Sequence, residues 1–168
     1  MENFKAIIDE YHPILYKIGR SYTRHRADFD DLYQEMLIQI YQSLKSFRGE
    51  SRMSTWLYRV ALNTAMTFNR NNHKRQNEVA EADIARLERQ EEPISEARKT
   101  DWDVEMLYEA IHELKKDDRA MILLHLEGKQ YCDIADIMGI SKTNTGVKLM
   151  RIRKRLQTIL TRKGYERI

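Results

Sequence analysis

Apolar residues recur every three or four positions along most of this chain, which is the spacing of amphipathic α-helices. One such segment covers residues 3–22, and a second opens at Asp28. A third follows Ser54, a residue type that favours helix N-caps, and ends in the basic run 69–75. These three helices form a predicted first domain, residues 1–75.

The pattern changes character at residues 76–100, where seven acidic and four basic side chains surround Pro93 and apolar residues are sparse. This composition predicts a flexible or partly helical linker. Helical spacing returns in a second predicted domain, residues 101–168, which holds four further helices. The predicted fold class is all-α, with two small helical domains joined by the linker.

The strongest local motif lies in the second domain, where a small residue, Ala135, precedes Gly139 by four positions. The small side chain lets a second helix cross closely, and the glycine permits the left-handed conformation that ends a helix. Ile140 fills the corner, and Ser141 is suited to cap the next helix. This arrangement predicts a helix-turn-helix, whose second helix enters the DNA major groove.

The second helix of this motif has separable faces at about 100° per residue. Its predicted core face consists of Thr145, Leu149, Ile152, Leu156 and Leu160. Its predicted outer stripe consists of Asn144, Lys148, Arg151 and Arg155. Val147 lies beside the stripe, where it could touch a thymine methyl group. Gly146 costs the helix about 1 kcal/mol relative to alanine, which suggests a close backbone approach.

The net charge of +3 conceals two strongly basic segments. Residues 142–168 carry a net charge of +8, and residues 45–75 carry +6. A basic segment in each domain suggests two phosphate-binding surfaces on one DNA.

Composition argues against several other classes of protein. A single cysteine indicates a reducing compartment, and no apolar run reaches the length of a membrane span. The five histidines show no metal-ligand spacing, and no glycine-rich phosphate loop is present. We therefore expect a cytoplasmic protein that is not an enzyme, with no metal, no cofactor, no membrane insertion and no small-molecule substrate.

Several motifs together resemble a known family. They are DDLYQE at 30–35, SFRGES at 46–51, STWLYRVALNTA at 54–65, a basic patch, an acidic linker and the helix-turn-helix. Their order and spacing resemble bacterial RNA polymerase sigma factors of the sigma-70-like family, and most of all the extracytoplasmic-function (ECF) group. The resemblance covers nearly the whole chain except the linker and the last few residues.

The resemblance implies a set of partners and site residues. Core RNA polymerase would be bound at its β′ clamp helices by Asp31, Gln34, Glu35 and Gln42, and the second domain would bind the β flap. The melted minus-ten element would be held by Arg48, Ser51, Thr55, Trp56, Arg59, Asn63, Arg70, Lys74 and Arg75. The minus-thirty-five element of promoter DNA would be read by Ser141, Lys142, Thr143, Asn144, Val147, Lys148, Arg151 and Arg155. An anti-sigma factor is a further implied partner.

Two other functions compete with this interpretation. A helix-turn-helix transcription regulator would act without being a polymerase subunit, but it needs a sensor or receiver domain, and residues 1–75 show no strand alternation. A helical adaptor would use its basic faces only for solvation. Binding to duplex DNA without polymerase distinguishes the regulator from the sigma factor.

Overall fold

The computed structural model describes residues 2–80 and 102–165, with side chains described over 3–68 and 102–165. In these ranges the chain forms seven α-helices and no β-strand, which confirms the predicted all-α class. The helices are α1 (Glu2–Tyr22), α2 (Arg26–Leu44), α3 (Met53–Ala80), α4 (Trp102–His112), α5 (Lys116–Leu126), α6 (Tyr131–Met138) and α7 (Lys142–Arg162).

The chain divides into two compact units. The first consists of Met1–Ser46 and Val60–Ser95, and the second of Phe47–Arg59 and Glu96–Ile168. The first unit is organised by α1 and α2, which bury their apolar faces against each other. Its fully buried side chains include Leu15, Ile18, Leu32, Met36 and Ile40.

The second unit contains α4 to α7. In this unit α7 packs against α4, α5 and α6, and α5 also packs against α6. Fully buried side chains at its centre include Ile111, Met121, Leu124, Ile134 and Leu149. The end of α4 is held by Arg119, whose Nε donates to the Leu114 carbonyl at 2.9 Å and whose Nη2 donates to the His112 carbonyl at 2.7 Å. A guanidinium at this point satisfies carbonyls that lack a partner within the helix.

The third helix differs from its predicted bounds at both ends. It begins at Met53, so Ser54 lies inside the helix and the prediction that it caps the helix is wrong. The helix also continues through the basic run 69–75 to Ala80. Residues 53–80 contain neither glycine nor proline, so nothing in the sequence stops the helix there. Of the predicted linker, residues 81–100 lie outside the described residues.

Candidate nucleic-acid interface

The predicted turn between α6 and α7 is confirmed in detail. Gly139 ends α6 with φ of 68°, in the left-handed region, and the Ile140 amide donates to the Ala135 carbonyl at 3.1 Å. Ser141 caps α7, since its Oγ accepts a hydrogen bond from the Asn144 amide at 3.1 Å. These interactions fix the angle at which α7 leaves α6, as a helix-turn-helix requires.

The faces of α7 separate as the periodicity predicts. Thr145 is fully buried, and its hydroxyl donates to the Ser141 carbonyl at 3.0 Å. Because this hydroxyl has a hydrogen-bond partner, the polar residue can occupy a core position. Leu160 is only half-buried, and Ile159 is the buried residue at that end. The residues of the predicted outer stripe are all exposed, namely Asn144, Lys148, Arg151 and Arg155.

The exposed face of α7 extends to its first turn, where Lys142 and Thr143 are solvent-accessible. Val147 is 39% exposed beside the stripe, as predicted. The side chains of Lys148 and Arg151 make no hydrogen bond or ion pair with another residue in the described part of the chain. This face therefore presents cations, an amide and one apolar side chain to solvent, which is the chemistry that reads a major groove.

Gly146 lies on a different side of α7, where it faces α6. A Cβ placed at this position would lie 3.6 Å from the ring of Tyr131, the first residue of α6. The close approach suggested by the sequence is therefore an approach to an aromatic ring within the protein.

Beyond Tyr131, an open groove of about 1270 Å³ with a mixed polar and apolar lining lies along this side of α7. Leu126 and Met150 line it and are exposed, Met150 at 66%. Arg153 and Lys154 also line the groove, so these two cations of α7 lie apart from the outer stripe. The sequence analysis missed this groove, although an apolar Met150 outside the core face was a signal for it.

The candidate minus-ten segment begins at an aromatic corner formed by Phe47 and Trp56. Their ring centroids lie 5.1 Å apart with an interplanar angle of 43°. The chain turns between them at Gly49, whose φ is 72°. Arg48 is exposed, while Ser51 and Thr55 are half-buried.

Two further predicted residues follow on α3 at the three-to-four spacing of one helix face. Arg59 is exposed, and its Nε donates to the backbone carbonyl of Asp136 at 3.0 Å. Asn63 is exposed. The remaining candidates, Arg70, Lys74 and Arg75, lie within α3, and their side chains are outside the described residues.

The candidate polymerase-binding residues lie on one face of α2. Asp31, Gln34 and Gln42 are exposed, and Glu35 is half-buried and accepts a hydrogen bond from Gln39 at 2.9 Å. This arrangement leaves the α2 face open to solvent along its length.

Two apolar residues on the same face were missed by the sequence analysis. Ile38 is 47% exposed and Tyr41 is 46% exposed. Tyr41 packs edge-on against Phe4 at 5.2 Å, and the Nζ of Lys45 lies 5.8 Å from its ring centroid. An isoleucine between polar residues of one face was the signal available in the sequence.

Two searches over the described residues give negative results. No group of three histidine, cysteine, aspartate or glutamate side chains there is arranged to hold a metal ion. No helix there is both long and apolar enough to cross a membrane.

Comparisons with known proteins agree with the helix-turn-helix and extend beyond it. Residues 7–75 match the family Sigma-70 region 2, and residues 104–156 match Sigma-70, region 4. The chain is 32% identical to the ECF RNA polymerase sigma-E factor of Haemophilus influenzae, over 92% of this chain and 85% of that protein. It is 30% identical to the RNA polymerase sigma-H factor of Pseudomonas aeruginosa, over 94% of this chain and 86% of that protein.

A solved structure is similar over the full length. The sigma factor RpoE of Bartonella quintana, crystallised in complex with the anti-sigma factor NepR, superposes with a TM-score of 0.72 and 26% identity. The alignment covers 96% of this chain and 98% of that one. This protein belongs to the ECF group of RNA polymerase sigma factors. The region 2 match occupies the part of the chain where a transcription regulator would need its sensor domain, and the regulator is therefore not favoured.

Proposed function

We propose that this sigma factor reads a promoter with two separate surfaces, one on α7 and one around the start of α3. As a member of its family it associates with RNA polymerase and directs transcription initiation at promoter DNA. The observation that carries the two-surface proposal is the solvent-exposed stripe of α7, which belongs to a helix-turn-helix. The same chain also matches sigma-70 region 2, which contains the second proposed surface. The proposed domain bounds are 1–75 and 101–168, joined by residues 76–100.

The α7 surface is assigned to the minus-thirty-five element. Cations at Lys148, Arg151 and Arg155 suit phosphates and guanine edges, and Asn144 suits adenine. Val147 is exposed where a thymine methyl could reach it. Ser141, Lys142 and Thr143 occupy the start of the helix, the part that enters the groove first.

The segment around Trp56 is assigned to the melted minus-ten element. Its aromatic corner with Phe47 offers a platform on which an unpaired base can stack. Arg48 and Arg59 add cations nearby in the sequence, Thr55 a hydroxyl and Asn63 an amide. Ser51 lies in the turn before α3. Extraction of a base from the duplex costs stacking energy, which such contacts offset. Arg70, Lys74 and Arg75 are assigned to nearby phosphates.

Polymerase contacts are assigned to two further surfaces. The α2 face, with Asp31, Gln34, Glu35 and Gln42 around the exposed Ile38, would dock on the β′ clamp helices. The groove beside Met150 would receive the β flap. Because this groove lies on a different side of α7 from the outer stripe, α7 can hold DNA and polymerase at once.

Two consequences concern regulation and place of action. The similar RpoE structure is a complex with an anti-sigma factor, which supports a proposed anti-sigma partner for this chain as well. Because the proposed partner is RNA polymerase, the proposed place of action is the cytoplasm.

Run-off transcription tests the function directly. Purified core polymerase plus this chain should start transcription at defined sites in a pool of genomic fragments, and failure on every fragment contradicts the proposal. Trp56→Ala should lower initiation about 10- to 100-fold, since base–aromatic stacking contributes about 1–3 kcal/mol per base. Trp102→Ala is the matched control, because Trp102 is an exposed tryptophan outside the proposed DNA surfaces. Equal losses in both variants would contradict the stacking role.

A further inference from the structure

The exposed face of α2 has an apolar part towards its C-terminal end, formed by Ile38 and Tyr41. Both side chains are nearly half exposed. They continue the spacing of two proposed clamp-binding residues, Asp31 and Gln34, because positions 31, 34, 38 and 41 alternate in steps of three and four. Residues at this spacing share one face of a helix, and it is the spacing along which a second helix packs. Ile38 and Tyr41 therefore belong to the surface assigned above to the β′ clamp helices.

The ring of Tyr41 is held from two sides although it is exposed. Phe4, in the first turn of α1, meets it edge-on, with ring centroids 5.2 Å apart and an interplanar angle of 79°. This is a favoured geometry for two aromatic rings. The Nζ of Lys45, the C-cap residue of α2, lies 5.8 Å from the same ring centroid, within the range of a cation–π contact. Tyr41 thus combines exposure with a fixed ring orientation.

The contact of Phe4 differs in kind from a second ring contact between the same two helices. Tyr16 of α1 packs edge-on against Phe29 of α2, also at 5.2 Å, but Phe29 is buried. That pair is a core contact between α1 and α2. The α2 partner of Phe4 is exposed instead, and Phe4 itself is half-buried. The Phe4–Tyr41 pair therefore connects α1 to the solvent-exposed face of α2.

We propose that Phe4 is a positioning residue for the docking of RNA polymerase, and that it acts through Tyr41. Tyrosine is one of the residue types that contribute most of the binding energy at protein interfaces. A ring that is already held in one orientation loses less conformational freedom when a partner covers it, so it binds more tightly. Phe4 supplies this pre-organisation from α1. The inference rests on the proposed role of the α2 face.

Competition binding to purified core polymerase tests the inference with the full chain. Each unlabelled variant competes with a fluorescently labelled wild-type chain. Tyr41→Ala should weaken binding about 10- to 30-fold, as expected for a central aromatic residue of an interface. Phe4→Ala should weaken it about two- to tenfold, the range of one aromatic pair. In the Tyr41→Ala background, Phe4→Ala should have no further effect, because the ring that it positions is absent.

Two control variants separate positioning from general stability. Phe4→Tyr keeps the aromatic ring and should restore binding to within about twofold of wild type. Tyr11→Ala is the matched control, because Tyr11 is another half-buried aromatic residue of α1. Tyr11→Ala and Phe4→Ala should both lower the free energy of unfolding, measured by urea denaturation. Of these two variants, Phe4→Ala alone should weaken polymerase binding.

The possible failures are distinguishable from one another. If Phe4→Ala weakens binding equally in the wild-type and Tyr41→Ala backgrounds, or if Tyr11→Ala weakens it as much, Phe4 does not act through Tyr41 and the positioning role is overturned. If Tyr41→Ala weakens binding but Phe4→Ala does not, the positioning role is overturned and the role of the α2 face stands. If neither Tyr41→Ala nor Gln34→Ala weakens binding, the role of the α2 face is overturned, and the positioning role with it.

Nuclear magnetic resonance tests the ring contact without polymerase. The Tyr41 ring signals of the free chain are identified as those that disappear from the aromatic carbon–proton spectrum in Tyr41→Ala. These signals should shift in Phe4→Ala, because the ring current of Phe4 is removed, and should stay in place in Tyr11→Ala. Unshifted Tyr41 signals in Phe4→Ala would overturn the positioning role.

Discussion

The helices α3 and α7 both present cations that we assign to DNA, but these side chains have different surroundings. The side chains of Lys148 and Arg151 on α7 make no hydrogen bond or ion pair with any other described residue. Arg59 on α3 is hydrogen-bonded to the Asp136 carbonyl. The cations assigned to duplex DNA thus have no side-chain partner among the described residues, whereas the one assigned to unpaired DNA is hydrogen-bonded to a backbone carbonyl. Sequence pattern alone gives both helices the same description, a basic face.

The two units of the chain also differ in how tightly their helices pack around a glycine, Gly19 in the first unit and Gly146 in the second. Substitution of each glycine by alanine tests this difference. A Cβ at Gly19 of α1 would lie 2.6 Å from a ring atom of Phe29, which is buried between α1 and α2. We expect Gly19→Ala to lower the free energy of unfolding by about 1–3 kcal/mol through overpacking. Urea denaturation followed by circular dichroism measures this change.

Gly146→Ala is the corresponding substitution in the second unit. Its Cβ would lie 3.6 Å from the Tyr131 ring, an ordinary contact, so the gain in helix propensity should stabilise the protein by up to about 1 kcal/mol. Binding to promoter DNA should not change, because this glycine faces α6. Gly19→Ala with wild-type stability would contradict the tight packing of α1 on α2, and destabilisation by Gly146→Ala would contradict the space at Tyr131.

A smaller effect separates the cations of α7 from one another. Lys148 lies on the outer stripe, whereas Lys163, just after α7, has its Nζ 3.0 Å from Oε1 of Glu113. In the holoenzyme, Lys148→Met should reduce the salt dependence of binding to duplex minus-thirty-five DNA, measured as the slope of log K against log salt, by about one unit. Lys163→Met should leave the slope unchanged. Equal slopes for the two variants would remove the distinction between DNA-binding and structural cations.

The parts of the site that the sequence predicted correctly depend on local interactions. Ala135, Gly139, Ser141 and Thr145 lie within a dozen residues of one another, and each acts through a conformation or a hydrogen bond inside that stretch. Such interactions require particular residue types at particular spacings, so they can be recognised in the sequence. The outer stripe of α7 follows from the same helical period.

The parts that the sequence missed depend on distant partners or on competition between local signals. The hydrogen bond from Arg59 to Asp136 spans 77 positions and leaves no local pattern. Ser54 is a good cap by residue type, but Met53 is already helical and the cap position lies earlier. Tyr41 fits the core period of α2, yet its ring packs at the rim against Phe4.

The smallest predicted effect concerns the ion pair at the far end of α7, where Glu113 contacts Lys163 and Arg162. Hydrogen bonds from these two cations hold the pKa of Glu113 below its ordinary value. A carboxyl whose pKa is lower in the folded state than in the unfolded state stabilises the fold above the unfolded pKa, about 4.3 for glutamate, and loses that contribution as the pH falls through the folded value. Glu113→Gln should therefore be slightly less stable than wild type at neutral pH, and the difference should shrink on acidification below about pH 4. Thermal unfolding of both proteins between neutral and acidic pH measures it. If the stability difference between Glu113→Gln and wild type does not change with pH, Glu113 acts through packing rather than through its charge. The ion pairs of Glu113 with Arg162 and Lys163 would then not stabilise the end of α7.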